Sequence, residues 1–177
     1  MAIPQQKFRE IVFQFIYCRD IGEGSEEELI SLFMKELSVT KKAVQEAGSR
    51  ARKILAMLSE IDEHIKKTSV SYRFERIQSV ERNILRLGVY ELLFDDAIPP
   101  KVAIAEAIRL SRKFGTPESA SFVNALLDVI YKSSSGDEIN ENHLLASAEA
   151  LMDSEEIANK TSQNPRDQPD ASNGPKQ

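Results

Sequence analysis

Cysteine is nearly missing from this sequence. Cys18 stands alone, which excludes an intramolecular disulfide and a thiolate zinc site. Histidine is almost as scarce, and His64 and His143 are too few to suggest a histidine metal centre. Only 7 glycines and 7 prolines occur in 177 residues, several near the C-terminus, so long stretches carry no helix breaker. No apolar run approaches the roughly 18 residues needed to cross a bilayer, so no membrane association is expected. The opening Met1-Ala2-Ile3-Pro4-Gln5-Gln6-Lys7 lacks the basic head and apolar run of a secretory signal, and a cytoplasmic location is expected. Also absent are a glycine-rich phosphate loop, G-x-S-x-G, H-E-x-x-H and an acidic calcium loop. Catalysis needs a reactive group beside a tuning partner. Cys18 has no histidine near it in sequence, and His64 sits among charged residues and reads as a solvated side chain. The carboxylates Glu26-Glu27-Glu28 suit the positive end of a helix dipole. A binding protein without cofactor or metal is expected rather than an enzyme.

What is present describes a packed chain. Hydrophobic residues make up 41% and charged residues 29%, a composition that folds. The net charge of −5 argues at first against nucleic acid. Its distribution reverses that: Asp137 to Gln177 holds nine acidic and three basic residues, leaving 20 basic and 19 acidic in the body. A strongly basic domain is excluded, but a local basic face is not.

Helical spacing runs through almost the whole chain, and sustained period-two alternation is absent. Phe8, Ile11, Val12, Phe15 and Ile16 make the first stripe, which Ile21-Gly22-Glu23-Gly24 interrupts. Ser25 and Glu28 are spaced as a capping box ahead of Leu29, Leu32, Phe33 and Leu37. Thr40 is placed to cap a helix through Val44, Ala47, Ala51, Ile54 and Leu58, continuing past a bend to Ile61 and Ile65. Ser79 is a candidate cap for Val80 to Phe94, whose nearly continuous apolar character predicts a central helix. Ile98-Pro99-Pro100 ends that run. Ala103, Ala107, Leu110 and Phe114 define the next helix; Gly115 stops it, Thr116 caps its successor and Pro117 takes the first position. Phe122, Val123, Leu126, Leu127 and Ile130 form the last strong stripe, closed by Ser133-Ser134-Ser135-Gly136. The reading is an all-α, compact single domain of about seven helices over 1–136, with an acidic extension over 137–177. Within the extension Leu144, Leu145, Ala148, Leu151 and Met152 predict a short helix over 138–152. Composition predicts a disordered tail from about Ser162.

Two segments carry more than generic helix: V-E-R-N-I-L-R-L-G-V-Y-E-L from Val80 to Leu92, and I-P-P-K-V-A-I-A-E-A-I-R-L-S-R-K-F-G-T-P-E-S-A-S-F-V-N-A-L-L-D from Ile98 to Asp128. They resemble the C-terminal half of the NusB family, with its R-x-x-Y-E-L helix followed by I-P-x-x-V-A-I-x-E-A-I and F-V-N-x-x-L-D. Phe8 to Tyr17, F-R-E-x-x-x-Q-x-x-Y, matches the family's first helix more weakly. The resemblance covers about residues 4–134 and implies two small helical bundles. It also implies a transcription antitermination factor. Such a factor binds boxA-type single-stranded RNA of nascent ribosomal RNA with a small-subunit ribosomal protein (NusE), and joins the elongating RNA polymerase through that complex. Both monomers and homodimers occur in the family.

Carried onto this chain, the resemblance implies an RNA side made by Lys7, Arg9, Gln14, Tyr17, Glu118, Ser121, Phe122 and Asn124. Lys7 and Arg9 would neutralise phosphates, Tyr17 and Phe122 would stack, and Gln14 and Asn124 would bond to base or sugar edges. Cations, aromatic platforms and polar edges are what single-stranded RNA requires. On the ribosomal-protein side it implies Glu81, Arg82 and Arg86. Spacing alone offers plainer roles. Phe122 shares the apolar stripe with Val123 and Leu126 and so favours core packing. Tyr17 divides evenly, and Arg82 with Arg86 would suit an intramolecular carboxylate. The family's first helix often opens on a run of arginines, whereas this chain has Gln5-Gln6-Lys7-Phe8-Arg9, which implies weaker RNA binding with a shallower salt dependence. A helical protein-binding adaptor with little intrinsic RNA binding is the competing reading.

Overall fold

Local chemistry sets the helix ends. The computed structural model describes residues 3–68, 73–139 and 141–162. Helix α1, Gln5–Asp20, gives way at Gly22 and Gly24, both at positive φ. Helix α2, Glu26–Leu37, starts on the expected box, with Glu28 N–H donating to Ser25 Oγ and Ser25 N–H to the Glu28 carboxylate. Helix α3, Lys41–Ala56, is capped by Thr40. The expected bend falls at Met57, and Leu58–Thr68 forms a separate helix, α4. After a 3-10 turn at Phe74–Arg76 comes α5, Ser79–Leu93. Ser79 is its first helical residue rather than its cap: Gln78 holds the cap position without a side-chain bond. Helix α6, Pro100–Phe114, ends at Gly115. Helix α7, Pro117–Ser135, opens on a box in which Thr116 and Ser119 satisfy each other's amides and ends at a left-handed Gly136. The described residues thus hold eight α-helices and one 3-10 turn: α1 to α7 make the body, as expected, and the eighth lies in the extension.

The apolar circumference of α5 places it at the centre, as expected. Every residue from Asn83 to Glu91 is buried, and α5 packs against α1, α4, α6 and α7. It lies tightly on α7 at Gly88, where an added Cβ would be 2.9 Å from Leu127 Cδ1. In the N-terminal half α1 and α2 pack on α3, with Phe15 and Phe33 meeting edge to face at 4.9 Å. Burying each such large apolar side chain contributes roughly 1.5–3 kcal/mol.

The extension holds the expected helix, but with different bounds. Helix α8 runs Glu141–Ser162, starting later and ending well beyond the expected 138–152 segment. It packs on α7 through Leu144, Ala148 and Leu151, all buried and all on the expected stripe. The tail from 163 onward lies outside the described residues. No helix among the described residues is long and apolar enough to cross a membrane.

Candidate functional site

Three polar networks organise the surfaces that α1, α5, α6 and α7 share, and they decide which candidate residues face outward. The first joins α1 to α5 and α6. Arg9 donates its Nε–H to both oxygens of Glu91 at 2.9 and 3.0 Å, and its Nη1 lies 3.7 Å from Glu106. Beside it Glu10 accepts from Arg109 Nη1 and from Lys113 Nζ, each at 2.7 Å. Burial pushes the Glu10 carboxyl up, but the bonds from Lys113 and Arg109 outweigh it and hold the group below the ordinary carboxylate range. Glu91 goes the other way: its burial raises the carboxyl despite the pull of Arg9.

The second network ties α5 to the end of α1 and to α4. Asp20 accepts from Arg82 Nη2 at 2.7 Å, Asn83 Nδ2 at 2.9 Å and Arg86 Nη1 at 2.9 Å. Arg86 also grips both oxygens of Asp62 at 2.8 Å, a bidentate pair suited to the planar guanidinium. Burial raises the Asp20 carboxyl, and the three donors together bring it below its usual range. In the third network Ser119 Oγ donates to Glu81, fixing the start of α5 to the first turn of α7.

These networks engage several residues of the implied site within the fold. Arg9 is 6% exposed and neutralised within the fold, so it presents no free cation for a phosphate. Phe122 is 2% exposed and packs in the core, where it offers no face for stacking. Glu81 and Arg86 are buried and Arg82 is half-buried, and all three are engaged within the fold: Glu81 by Ser119, Arg82 by Asp20 and the Ile77 carbonyl, and Arg86 by Asp20 and Asp62. The intramolecular carboxylate that like-charged Arg82 and Arg86 called for is Asp20.

The remaining candidates keep some surface. Lys7, Gln14 and Tyr17 are half-buried along α1; Gln14 Nε2 donates to the Glu10 carbonyl, and the Tyr17 ring lies 5.9 Å from Phe13. Ser121 is exposed and Asn124 half-buried, and the fold brings both to an open cleft of about 440 Å³ between α6 and α7. Ile108, Pro117 and Ala120 line its apolar part, and the exposed Arg112 stands at its edge. Glu118 faces elsewhere, into a second cleft toward α8. Arg112 and Lys113 were not singled out in the sequence. The available signal was Arg109, Arg112 and Lys113 at i, i+3 and i+4, which puts three cations on one side of α6.

Nothing in these arrangements activates a nucleophile. Burial, with Glu23 adding to it, pushes the Cys18 thiol up, away from the thiolate. His64 is half-buried rather than solvated, its ring 6.0 Å from Phe94.

Comparison with known proteins agrees with this architecture. The family model described as "NusB family" matches residues 6–132. The transcription antitermination protein NusB of Chlamydia pneumoniae is 37% identical over 141 residues, spanning 80% of this chain and 86% of that protein. The protein of the same name from Anaeromyxobacter sp. (strain Fw109-5) is 37% identical over 131 residues, spanning 73% and 91%. Among solved structures, T. maritima NusB superposes with a TM-score of 0.65 at 33% identity, covering 81% of this chain and 98% of its own. A chain from a crystal structure of antitermination factors NusB and NusE in complex with dsRNA gives 0.63 at 29% identity, covering 73% and 96%. With sequence and fold matched from the first helix through α7, this chain belongs to the NusB family.

Proposed function

We propose that this protein is a transcription antitermination factor that binds boxA-type single-stranded RNA of nascent ribosomal RNA together with the small-subunit ribosomal protein NusE. Through that complex it acts on the elongating RNA polymerase. The observation that carries the RNA reading is the α6–α7 cleft, where Arg112 supplies charge while Ser121 and Asn124 supply polar edges over an apolar floor. A splayed base needs such a floor and such edges, and its phosphate needs a nearby cation. Lys7, Gln14 and Tyr17 on α1 extend the same chemistry across the Glu10–Lys113 contact. The relatives' shared description as transcription antitermination proteins supports the role, and the NusB–NusE–dsRNA assembly supports the choice of partners.

One observation favours the adaptor as second reading. Arg9 is neutralised internally, and Arg109 and Lys113 both contact Glu10, so few uncompensated cations remain for phosphates. Fluorescence anisotropy with a boxA-like RNA, with and without the ribosomal protein and at two salt concentrations, decides between them. Tight binding only with the partner present, weakened by Arg112→Ala with a salt slope reduced by about one, supports the RNA reading. Equal binding to boxA and scrambled RNA in the ternary mixture supports the adaptor.

A further inference from the structure

Helix α8 lies beyond the family match, which ends at residue 132, yet it is seated on the body. Leu144, Ser147, Ala148 and Leu151 are buried along one stripe of the helix. The same three-and-four spacing carries that stripe on to Ser154, Glu155 and Ala158. These form one wall of a cleft of about 370 Å³. The other wall is Gln78 and Glu81 at the start of α5, Phe114 at the end of α6 and Glu118 in the first turn of α7.

The seating changes character along the helix. Up to Leu151 it is apolar, whereas no residue from Met152 to Lys160 is buried. Glu81, Glu118 and Glu155 all face the cleft, and neither lysine nor arginine lines it. Burial and then the neighbouring Glu81 push the Glu155 carboxyl up, with a hydrogen bond from Gln78 restoring only part. The first half of α8 is therefore anchored by hydrophobic burial, and the second half rests where like charge opposes it. What it rests on includes Glu81, which the resemblance puts on the ribosomal-protein side, and Glu118, which it puts on the RNA side.

We propose that the C-terminal half of α8 is a displaceable cover over the start of α5 and α7, where it competes with a basic segment of a protein partner. A lysine or arginine entering the cleft would give Glu81 and Glu118 the cation that α8 does not supply, while an RNA phosphate would meet those carboxylates and no lining cation. The inference rests on the proposed function in taking that partner to be the ribosomal protein.

The test uses the full chain as wild type, Ser154→Pro and Glu155→Lys. Proline at 154 removes a helical amide bond and unseats the cover while Leu151 stays buried. Lysine at 155 pairs with Glu81 and tightens it. In the free proteins, amides 154–160 exchange faster in Ser154→Pro and slower in Glu155→Lys. Apparent affinity scales with the uncovered fraction, so Ser154→Pro should bind the purified ribosomal protein at least about threefold tighter, and Glu155→Lys at least about threefold weaker. In wild type, amides 154–160 lose protection on complex formation. Equal affinity in all three proteins, or protection gained at 154–160 on binding, overturns the cover. Absence of binding by every version, Ser154→Pro included, removes the proposed partner and the inference with it.

Discussion

Replacing Arg9 with alanine distinguishes a cation committed to the fold from one reserved for RNA. The guanidinium shares its Nε–H between the two oxygens of Glu91, and both side chains are almost wholly buried, at 7% and 6% exposure. Truncation leaves Glu91 without its only direct side-chain donor among the described residues. Breaking a buried pair from one side costs about 3–5 kcal/mol, because the surviving charge stays desolvated. Arg50 still attracts Glu91 from further off, which favours the lower end, about 3 kcal/mol. For a chain of this size that lowers Tm by roughly 6–12 °C. The loss should shrink in mildly acidic buffer. Burial already raises the Glu91 carboxyl, and without Arg9 it rises further, so a falling pH neutralises the stranded charge in the folded state. Adding Glu91→Gln to the Arg9→Ala background should recover part of the loss for the same reason. Thermal melts followed by circular dichroism at two pH values measure all of this. A Tm within about 2 °C of wild type, accompanied by weaker RNA binding with a shallower salt slope, would refute the structural assignment and return Arg9 to the RNA face.

Phe122→Ala should cost about 3–5 kcal/mol by opening a cavity in the core, read as a lower urea midpoint with an unchanged slope; a stable variant defective only in RNA binding would contradict the burial. Gly88→Val should destabilise by about 1–3 kcal/mol through overpacking against Leu127, itself fully buried and unable to swing away; wild-type stability in the same titration would mean that α5 and α7 are less close than described. Asp20 sits below its usual range in the folded protein, so it contributes stability at neutral pH that is lost as pH falls through and below that range. Asp20→Asn should therefore lower stability at pH 7 and flatten the acid limb of the pH–stability profile, and a parallel acid limb in the variant would exclude Asp20 as its source.

The helices were legible because their signals are local. Ser25 with Glu28, Thr40, and Thr116 ahead of Pro117 each act on amides within four residues, and the structure uses all of them. The apolar circumference of α5 likewise needs no knowledge of its neighbours to imply a central position. The site was harder to read because its signals depend on what lies across from each residue. Arg9 and Glu91 are 82 positions apart, and Arg86 and Asp20 are 66 apart; no window on the sequence contains both partners. Read singly, each arginine looks like a free cation, and only the packing of α1 against α5 neutralises it. Phe122 shows the converse: its spacing already placed it on the core stripe with Val123 and Leu126, and the structure follows the spacing rather than the stacking role. The extension was legible only in part, for a third reason. The acidic residues of α8 dilute its stripe, and burial of Leu144, Ala148 and Leu151 exists only because α7 offers a surface to receive them. Where a stripe is weak and its receiving surface is distant in sequence, composition describes the exposed side of a helix and says little about the side that packs.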